Sequence, residues 1–156
     1  ARPKIYLADA AIAPSVLLKG KALLEDSDGL ARVVETAFFK HVFSRFYKQS
    51  VAFSYWRGKK DQEVDIIGTL GERLVPFEVK YRPKERIGAG ELKGLCEFCG
   101  EHEVDRAYLI TRDISDFSLV DIAKKSGKTK LLRIPASLAC YWLGCSEIEG
   151  VAEFEG

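Results

Sequence analysis

The strongest constraint on the fold of this chain is a pair of strand-like segments joined by a tight turn. Both segments, Gln62–Thr69 and Leu74–Tyr81, are rich in β-branched and aromatic residues, which favour strands. Glycine at the first central position of a two-residue loop is typical of a type II′ hairpin turn, and Gly71 takes that position. The sequence therefore predicts an antiparallel hairpin with Gly71 and Glu72 at its tip.

The register of this hairpin brings four charged side chains together. Counting back from the turn puts Asp65 opposite Glu78 and Glu63 opposite Lys80. Because side chains alternate along a strand, all four are expected on one face. Opposed residues hold their Cβ atoms about 4.5–5.5 Å apart, and like charges in that position are destabilising. The two facing acids need a cation, which is a divalent metal, Lys80, or both; an inert ion cluster around Lys80 is the alternative without chemistry.

The surrounding segments predict an α/β fold with a central mixed sheet flanked by helices. Leu30–Tyr47 has the apolar periodicity of an amphipathic helix, with Glu35 at the margin of the apolar stripe. At that margin Glu35 is either a solvated edge residue or an acid that faces a site. The remaining elements expected from pattern and turn residues are a strand at Val51–Trp56, a helix at Glu91–Cys99, strands at Arg106–Thr111 and Leu131–Ile134, and a helix from Pro135 to Leu143.

Composition limits the class of protein. A chain of 156 residues fits one domain, taken here as residues 1–156 with residues 1–29 as an N-terminal lead-in. Its 47% hydrophobic and 30% charged residues are typical of a globular protein and argue against disorder or a membrane protein. With neither a long apolar run nor a signal peptide, the expected location is the cytoplasm, without membrane contact. The net charge of +1 gives no global sign of nucleic-acid binding.

The cysteines allow two interpretations. A zinc or iron–sulfur site would use all of them: Cys96, Cys99, Cys140 and Cys145. Cys96 and Cys99, however, continue the apolar stripe of the helix that contains Leu92 and Leu95. We therefore expect reduced, metal-free thiols that act as small buried hydrophobes.

The order of elements and acids resembles the PD-(D/E)XK nuclease superfamily. The residues that carry this resemblance are Asp65, followed on the next strand by Glu78-Val79-Lys80, with Glu35 in the place of a helical acid. The resemblance implies a restriction-endonuclease-like αβββαβ core. It also implies that Asp65, Glu78, the carbonyl of Val79 and Glu35 hold Mg²⁺ or Mn²⁺. Lys80 would position the attacking water or help to deprotonate it, and would offset charge that develops on the phosphate.

A second likeness covers most of the chain. The segments KIYLADAAI, LARVVETAFFKHV, YWR, EVDIIG and PFEVKYR are similar to the nuclease-like domain at the C-terminus of many prokaryotic AAA+ ATPases. That likeness implies an upstream ATPase module and a winged helix in the same polypeptide. Since the chain has no methionine and no P-loop motif of its own, we expect it to be a C-terminal portion of such a protein.

Two functions from different classes follow as expectations. One is a metal-dependent nuclease that hydrolyses DNA phosphodiesters; the other is a non-catalytic nuclease-like module that binds DNA or a protein partner for its ATPase. Basic residues on both sides of the acids are the expected phosphate contacts. They are Arg57, Lys59, Lys60, Arg82, Lys84 and Arg86.

Overall fold

A computed structural model describes residues 3–59, 62–83, 89–124 and 127–149, and it contains a six-stranded mixed sheet with helices on both faces. The strands are β1 (Ala52–Arg57), β2 (Glu63–Leu70), β3 (Arg73–Lys80), β4 (Arg106–Thr111), β5 (Ser118–Lys124) and β6 (Gly127–Pro135). The α-helices are α1 (Ile12–Val16), α2 (Ser27–Phe46), α3 (Lys93–Glu101) and α4 (Ala136–Ile148). In the part of the chain that the structure describes, no helix has the length and apolar character needed to cross a membrane.

The predicted three-strand meander is confirmed. β1, β2 and β3 are neighbours in sequence order, and both pairs are antiparallel. The register runs from Leu70 opposite Arg73 to Ile66 opposite Phe77, as counted from a two-residue turn. Gly71 has a φ of +59°, in the left-handed region that glycine enters at no steric cost. The two-residue turn at Gly71 therefore fixes the pairing register of β2 and β3, and this register brings Asp65 and Glu78 close to each other.

The second half of the sheet is parallel at its centre. β3 pairs with β4 in parallel across a connection that contains α3, and β4 pairs with β6 in parallel. β5 lies at the edge, antiparallel to β6, so the strand order is β1-β2-β3-β4-β6-β5. The sequence did not predict β5, because much of this edge strand is exposed and its polar residues read as a link. β6 and α4 are also longer than predicted.

Two apolar clusters lie on opposite faces of the sheet. The first core packs α2 and α4 onto the sheet and includes Phe38, Val42 and Phe77. The second core packs α3 onto the other face and includes Val64 and Leu95. The cluster to which an apolar side chain of the meander belongs shows the face of the sheet on which it lies.

Candidate functional site

The site lies where β2 and β3 separate. The two strands pair as far as Ile66 and Phe77. Beyond that pair, backbone N–H groups of one strand donate to side-chain carboxylates of the other strand and not to its backbone carbonyls. The N–H of Val79 donates to Oδ2 of Asp65 at 2.9 Å, and the N–H of Asp65 donates to Oε2 of Glu78 at 3.3 Å. These two hydrogen bonds hold both acids at the ends of the strands, where the strands diverge. Carboxylate oxygens are good acceptors for backbone N–H groups.

The predicted single face of four charged side chains is wrong, because β2 contains a bulge. Ser54 of β1 pairs with Ile67 and Trp56 pairs with Val64, so Asp65 and Ile66 together oppose one residue. An extra residue of this kind shifts the alternation of the bulged strand. Ile66 accordingly lies in the first core, whereas Val64 and Ile67 both lie in the second core.

The bulge separates the four charges into two groups. Glu63 and Asp65 contact a lysine that also binds α2. Phe77 and Val79 pack in the first core. Because side chains alternate along a strand, Glu78 and Lys80 lie on the other face. Asp65 remains the link between the groups through its backbone and side-chain bonds to β3.

Lys4, which was not among the predicted site residues, lies at the centre of the first group. Its Nζ is 2.7 Å from Oε1 of Glu35, 3.0 Å from Oε1 of Glu63 and 2.8 Å from Oδ1 of Asp65. Burial works to lower the pKa of Lys4, but the carboxylates of Asp65 and Glu35 outweigh it and raise that pKa well above its usual value. Lys4 is therefore a charged ammonium at neutral pH, and three carboxylates surround it.

Tyr6 attaches the same N-terminal segment to α2. Its hydroxyl donates to Oε1 of Glu35 at 2.7 Å, and its ring stacks on Phe39 with 4.3 Å between centroids. Burial, followed by the contact with Glu35, raises the pKa of Tyr6, so the hydroxyl stays protonated and donates. Residues 3–7 of this segment are in neither a helix nor a strand, and α1 follows them.

Glu78 and Lys80 form the second group. Glu78 is 3% exposed, and its Oε1 is 2.5 Å from Nζ of Lys80. Burial, and next the charge of Asp65, raises the pKa of Glu78 to about 7, with Lys80 opposing the shift. Burial works to lower the pKa of Lys80, but Glu78 outweighs it and raises that pKa. Lys80 is thus a charged hydrogen-bond donor at neutral pH.

The structure places only some of the predicted nucleic-acid contacts. Arg57 pairs with Glu63 at 3.0 Å and Arg82 pairs with Glu91 at 3.2 Å, while Lys59 is exposed. The other predicted contacts lie outside the described residues: Lys60, Lys84 and Arg86. In Glu63, burial works to raise the pKa, but the contacts with Lys4 and Arg57 lower it overall.

The carboxylates have the right chemistry for a hard divalent cation, since such ions take oxygen ligands. Among the described residues, however, no set of three or more histidine, cysteine, aspartate and glutamate side chains is arranged to hold a metal ion. Glu35 and Asp65 point to one position, and the ammonium of Lys4 fills it. A metal ion would therefore need Lys4 to move. Cys96, Cys99, Cys140 and Cys145 all lie within the described residues and form no disulfide bond, and Cys99 lies in the second core.

An open pocket of about 340 Å³ adjoins this group. It lies between the N-terminal segment, α2 and β1, and Asp65 and Lys4 reach its wall. Most of the remaining lining is aromatic and includes Tyr6, Phe39, Phe53 and Tyr55.

A family model matches more than half of the chain. The family model described as a domain of unknown function (DUF4143) matches residues 30–131, which is more than half of the 156-residue chain. The matched range contains Glu35, Asp65, Glu78 and Lys80, whereas Lys4 lies before it. No curated protein matches the chain.

Proposed function

The chain belongs to the DUF4143 family, and from that premise we propose that it is a metal-dependent nuclease domain with a restriction-endonuclease-like core, which hydrolyses DNA phosphodiesters. One observation carries the proposal: where β2 and β3 separate, Asp65 exchanges hydrogen bonds with Glu78 and Val79 of β3, and Glu78 forms an ion pair with Lys80. The order helix, three-strand meander, helix, parallel strand supports it.

In this proposal Asp65 and Glu78 hold Mg²⁺ or Mn²⁺, with the carbonyl of Val79 and the carboxylate of Glu35 as further oxygen donors. The bound ion would supply Lewis acidity and a water of lowered pKa. Lys80 orients a water molecule and balances charge on the phosphate. Because its pKa is raised, Lys80 acts as a charged donor and not as the base.

The approach of DNA is assigned to the basic residues near the strand ends. Arg57, Lys59 and Arg82 are the ones that the structure describes, and Arg57 and Arg82 already pair with acids near the site. Contacts of this kind position a backbone without reading its sequence. The pocket beside Asp65 offers space for the nucleotide next to the cleaved bond.

The proposal is tested by metal-dependent stability and cleavage in the same set of variants. Asp65→Asn and Glu78→Gln should lose most of the rise in Tm that Mn²⁺ gives to wild type, because a ligand that binds only the folded state stabilises it. Lys80→Ala should keep that rise but abolish cleavage of single- and double-stranded DNA. Asp121→Asn is the matched control, since it removes an exposed carboxylate of β5 that pairs with Lys128 and Lys130. An equal Mn²⁺ effect in wild type and Asp65→Asn would refute the metal site.

A specific observation favours a second candidate function, a non-catalytic module that binds DNA or a protein partner. The ammonium of Lys4 lies between Glu35, Glu63 and Asp65 and offsets part of their negative charge, so it occupies the position that a metal ion would need. Under this alternative wild type binds DNA in a salt-dependent way but cleaves no substrate with Mg²⁺ or Mn²⁺. Cleavage that Lys80→Ala abolishes would decide against it.

We also propose that an AAA+ ATPase module precedes this domain in the same polypeptide. The support is the sequence likeness over KIYLADAAI, EVDIIG and PFEVKYR. The complete reading frame decides the point: a G-x-x-x-x-G-K-[ST] segment after a strand, upstream of Ala1, is expected.

A further inference from the structure

The hydroxyl of Thr111 is a buried polar group in an unusual situation. Thr111 ends β4 and is 0% exposed, and among the described residues its Oγ1 has no hydrogen-bond partner. Thr129 of β6 is equally buried, but its hydroxyl donates to the carbonyl of Val104 at 2.7 Å. Because a buried hydroxyl without a partner costs free energy, its presence in a folded protein needs an explanation.

Thr111 lies beside Lys80, on the same face of the sheet. The two residues are opposite each other in the parallel pairing of β3 and β4, at the carboxyl ends of both strands. Leu109 packs in the second core and Ile110 in the first, so alternation places Thr111 on the face of the second core. Glu78 and Lys80 lie on that face as well. Since neighbouring strands are about 4.8 Å apart, the hydroxyl is within reach of the long side chain of Lys80.

The ammonium of Lys80 has more donors than its contact with Glu78 uses. An ammonium group carries three N–H donors, and the ion pair that the structure gives Lys80 among the described residues is the one with Glu78. In the proposed function the carboxylate of Glu78 is a metal ligand, and Lys80 faces water and phosphate. Lys80 then needs another acceptor to hold its direction. Thr111 is the neighbouring side chain that offers one.

We propose that Thr111 is a positioning residue for the proposed phosphodiester hydrolysis. Its hydroxyl accepts a hydrogen bond from the ammonium of Lys80 once the carboxylate of Glu78 serves as a metal ligand, and this bond directs the remaining N–H groups towards the water and the phosphate. This role rests on the proposed function, whereas the contact between Thr111 and Lys80 can be tested without it. In the free protein Glu78 holds the ammonium, and the buried hydroxyl lowers the stability of the fold.

Valine in place of Thr111 tests that cost, because it keeps the shape of threonine and removes the hydroxyl. Thr111→Val should melt at the same temperature as wild type or at a higher one. Thr129→Val is the matched control: it should melt at a lower temperature, because it breaks the hydrogen bond to the carbonyl of Val104. A Thr111→Val protein that fails to fold, or melts as far below wild type as Thr129→Val does, would overturn the proposal.

Cleavage kinetics test the position of Lys80. Thr111→Val should lower kcat for DNA by about tenfold or more and leave KM nearly unchanged, since it removes a hydrogen bond to a charged group that forms only in the reacting complex. Thr111→Ser keeps the hydroxyl and should retain most of the activity, and Thr129→Val should cleave as wild type does. A Thr111→Val kcat equal to that of wild type, or equal losses in Thr111→Ser and Thr111→Val, would contradict the positioning role.

A double-mutant cycle tests the contact without any cleavage. Glu78→Gln removes the charge that holds the ammonium, so Lys80 should turn to Thr111 in that background. Thr111→Val should then lower the melting temperature of Glu78→Gln, although it does not lower that of wild type. Equal shifts of the melting temperature in the two backgrounds would refute the contact. If Glu78→Gln does not fold, Glu78→Asp takes its place, because its shorter side chain withdraws the carboxylate from Lys80.

The two measurements separate the contact from the reaction. Unequal shifts, with a wild type that cleaves no DNA in Mg²⁺ or Mn²⁺, would refute the nuclease and leave the contact between Thr111 and Lys80 standing. Cleavage by wild type together with equal shifts would leave the nuclease standing and refute this role of Thr111.

Discussion

At the scale of single residues, the surroundings of Glu78 disfavour its charged form. Burial and the nearby Asp65 raise its pKa to about 7, above the ordinary value of 4.5. The folded protein therefore holds this proton more tightly than the unfolded chain does. The stability that results is complete below about pH 4.5 and is lost as the pH rises through about 7.

Glu78→Gln should remove this pH dependence, since glutamine keeps the size of the side chain but does not titrate. The part of the unfolding free energy that depends on Glu78, measured as the difference between wild type and Glu78→Gln, should fall by up to about 3 kcal/mol as the pH rises from acid to mildly alkaline values. Urea unfolding at several pH values measures both curves. Parallel curves for the two proteins would contradict the assignment.

The residues of the site differ in how far the sequence predicts them. Asp65, Glu78 and Lys80 are recognisable because one hairpin turn sets their relative positions. Lys4 contacts Glu63 and Asp65 from 59 and 61 residues away, and local pattern carries no information on such a contact. Its role emerges only when α2, β2 and the N-terminal segment are packed together.

Among the elements, α3 and β2 approach each other unusually closely. A Cβ atom on Gly94 of α3 would lie 2.5 Å from the carbonyl oxygen of Glu63. That oxygen belongs to the backbone and cannot rotate away as the end of a side chain can. The glycine therefore allows α3 to pack against the strand that carries Glu63 and Asp65.

Gly94→Ala should lower the free energy of unfolding by about 1–3 kcal/mol, because α3 has to shift away from β2. Gly100→Ala in the same helix is the control. An added Cβ there meets no atom of the described residues within 4 Å, so the higher helix propensity of alanine should stabilise by about 0.5–1 kcal/mol. Urea unfolding measures both variants; equal effects of the two substitutions would argue against the close approach.

The elements also show which features the sequence pattern predicts and which it does not. The β2–β3 hairpin could be predicted because Gly71 is suited to its turn. The bulge could not, because Asp65 and Ile66 fit an ordinary alternating strand equally well. The alternation alone therefore assigned Glu63 and Asp65 to the face of Glu78.

For the whole molecule, the two cores are joined by the sheet between them. β2, β4 and β6 contribute side chains to both clusters, so neither core can form without strands that the other also needs. The α/β class and the meander could be predicted from local pattern. The strand order β4-β6-β5 depends on pairing between distant segments, and the sequence pattern did not reveal β5.

Substitutions in either core should destabilise the molecule as one unit. Leu95→Ala in the second core should cost about 2–5 kcal/mol, because it leaves a cavity at a fully buried position. Val42→Ala in the first core removes fewer atoms and should cost less. Scanning calorimetry should show a single transition, shifted to lower temperature, in both variants. Two separate transitions would contradict a shared sheet.

Because of the bulge in β2, residues of two homologous chains that align in sequence need not occupy the same position in the structure. In a relative whose β2 lacks the extra residue, the amino acid aligned with Asp65 would face the second core. The residue one place earlier would then occupy the position next to α2. A comparison of homologous chains therefore has to open a one-residue gap between Val64 and Ile67 before it asks whether the acid has been inherited.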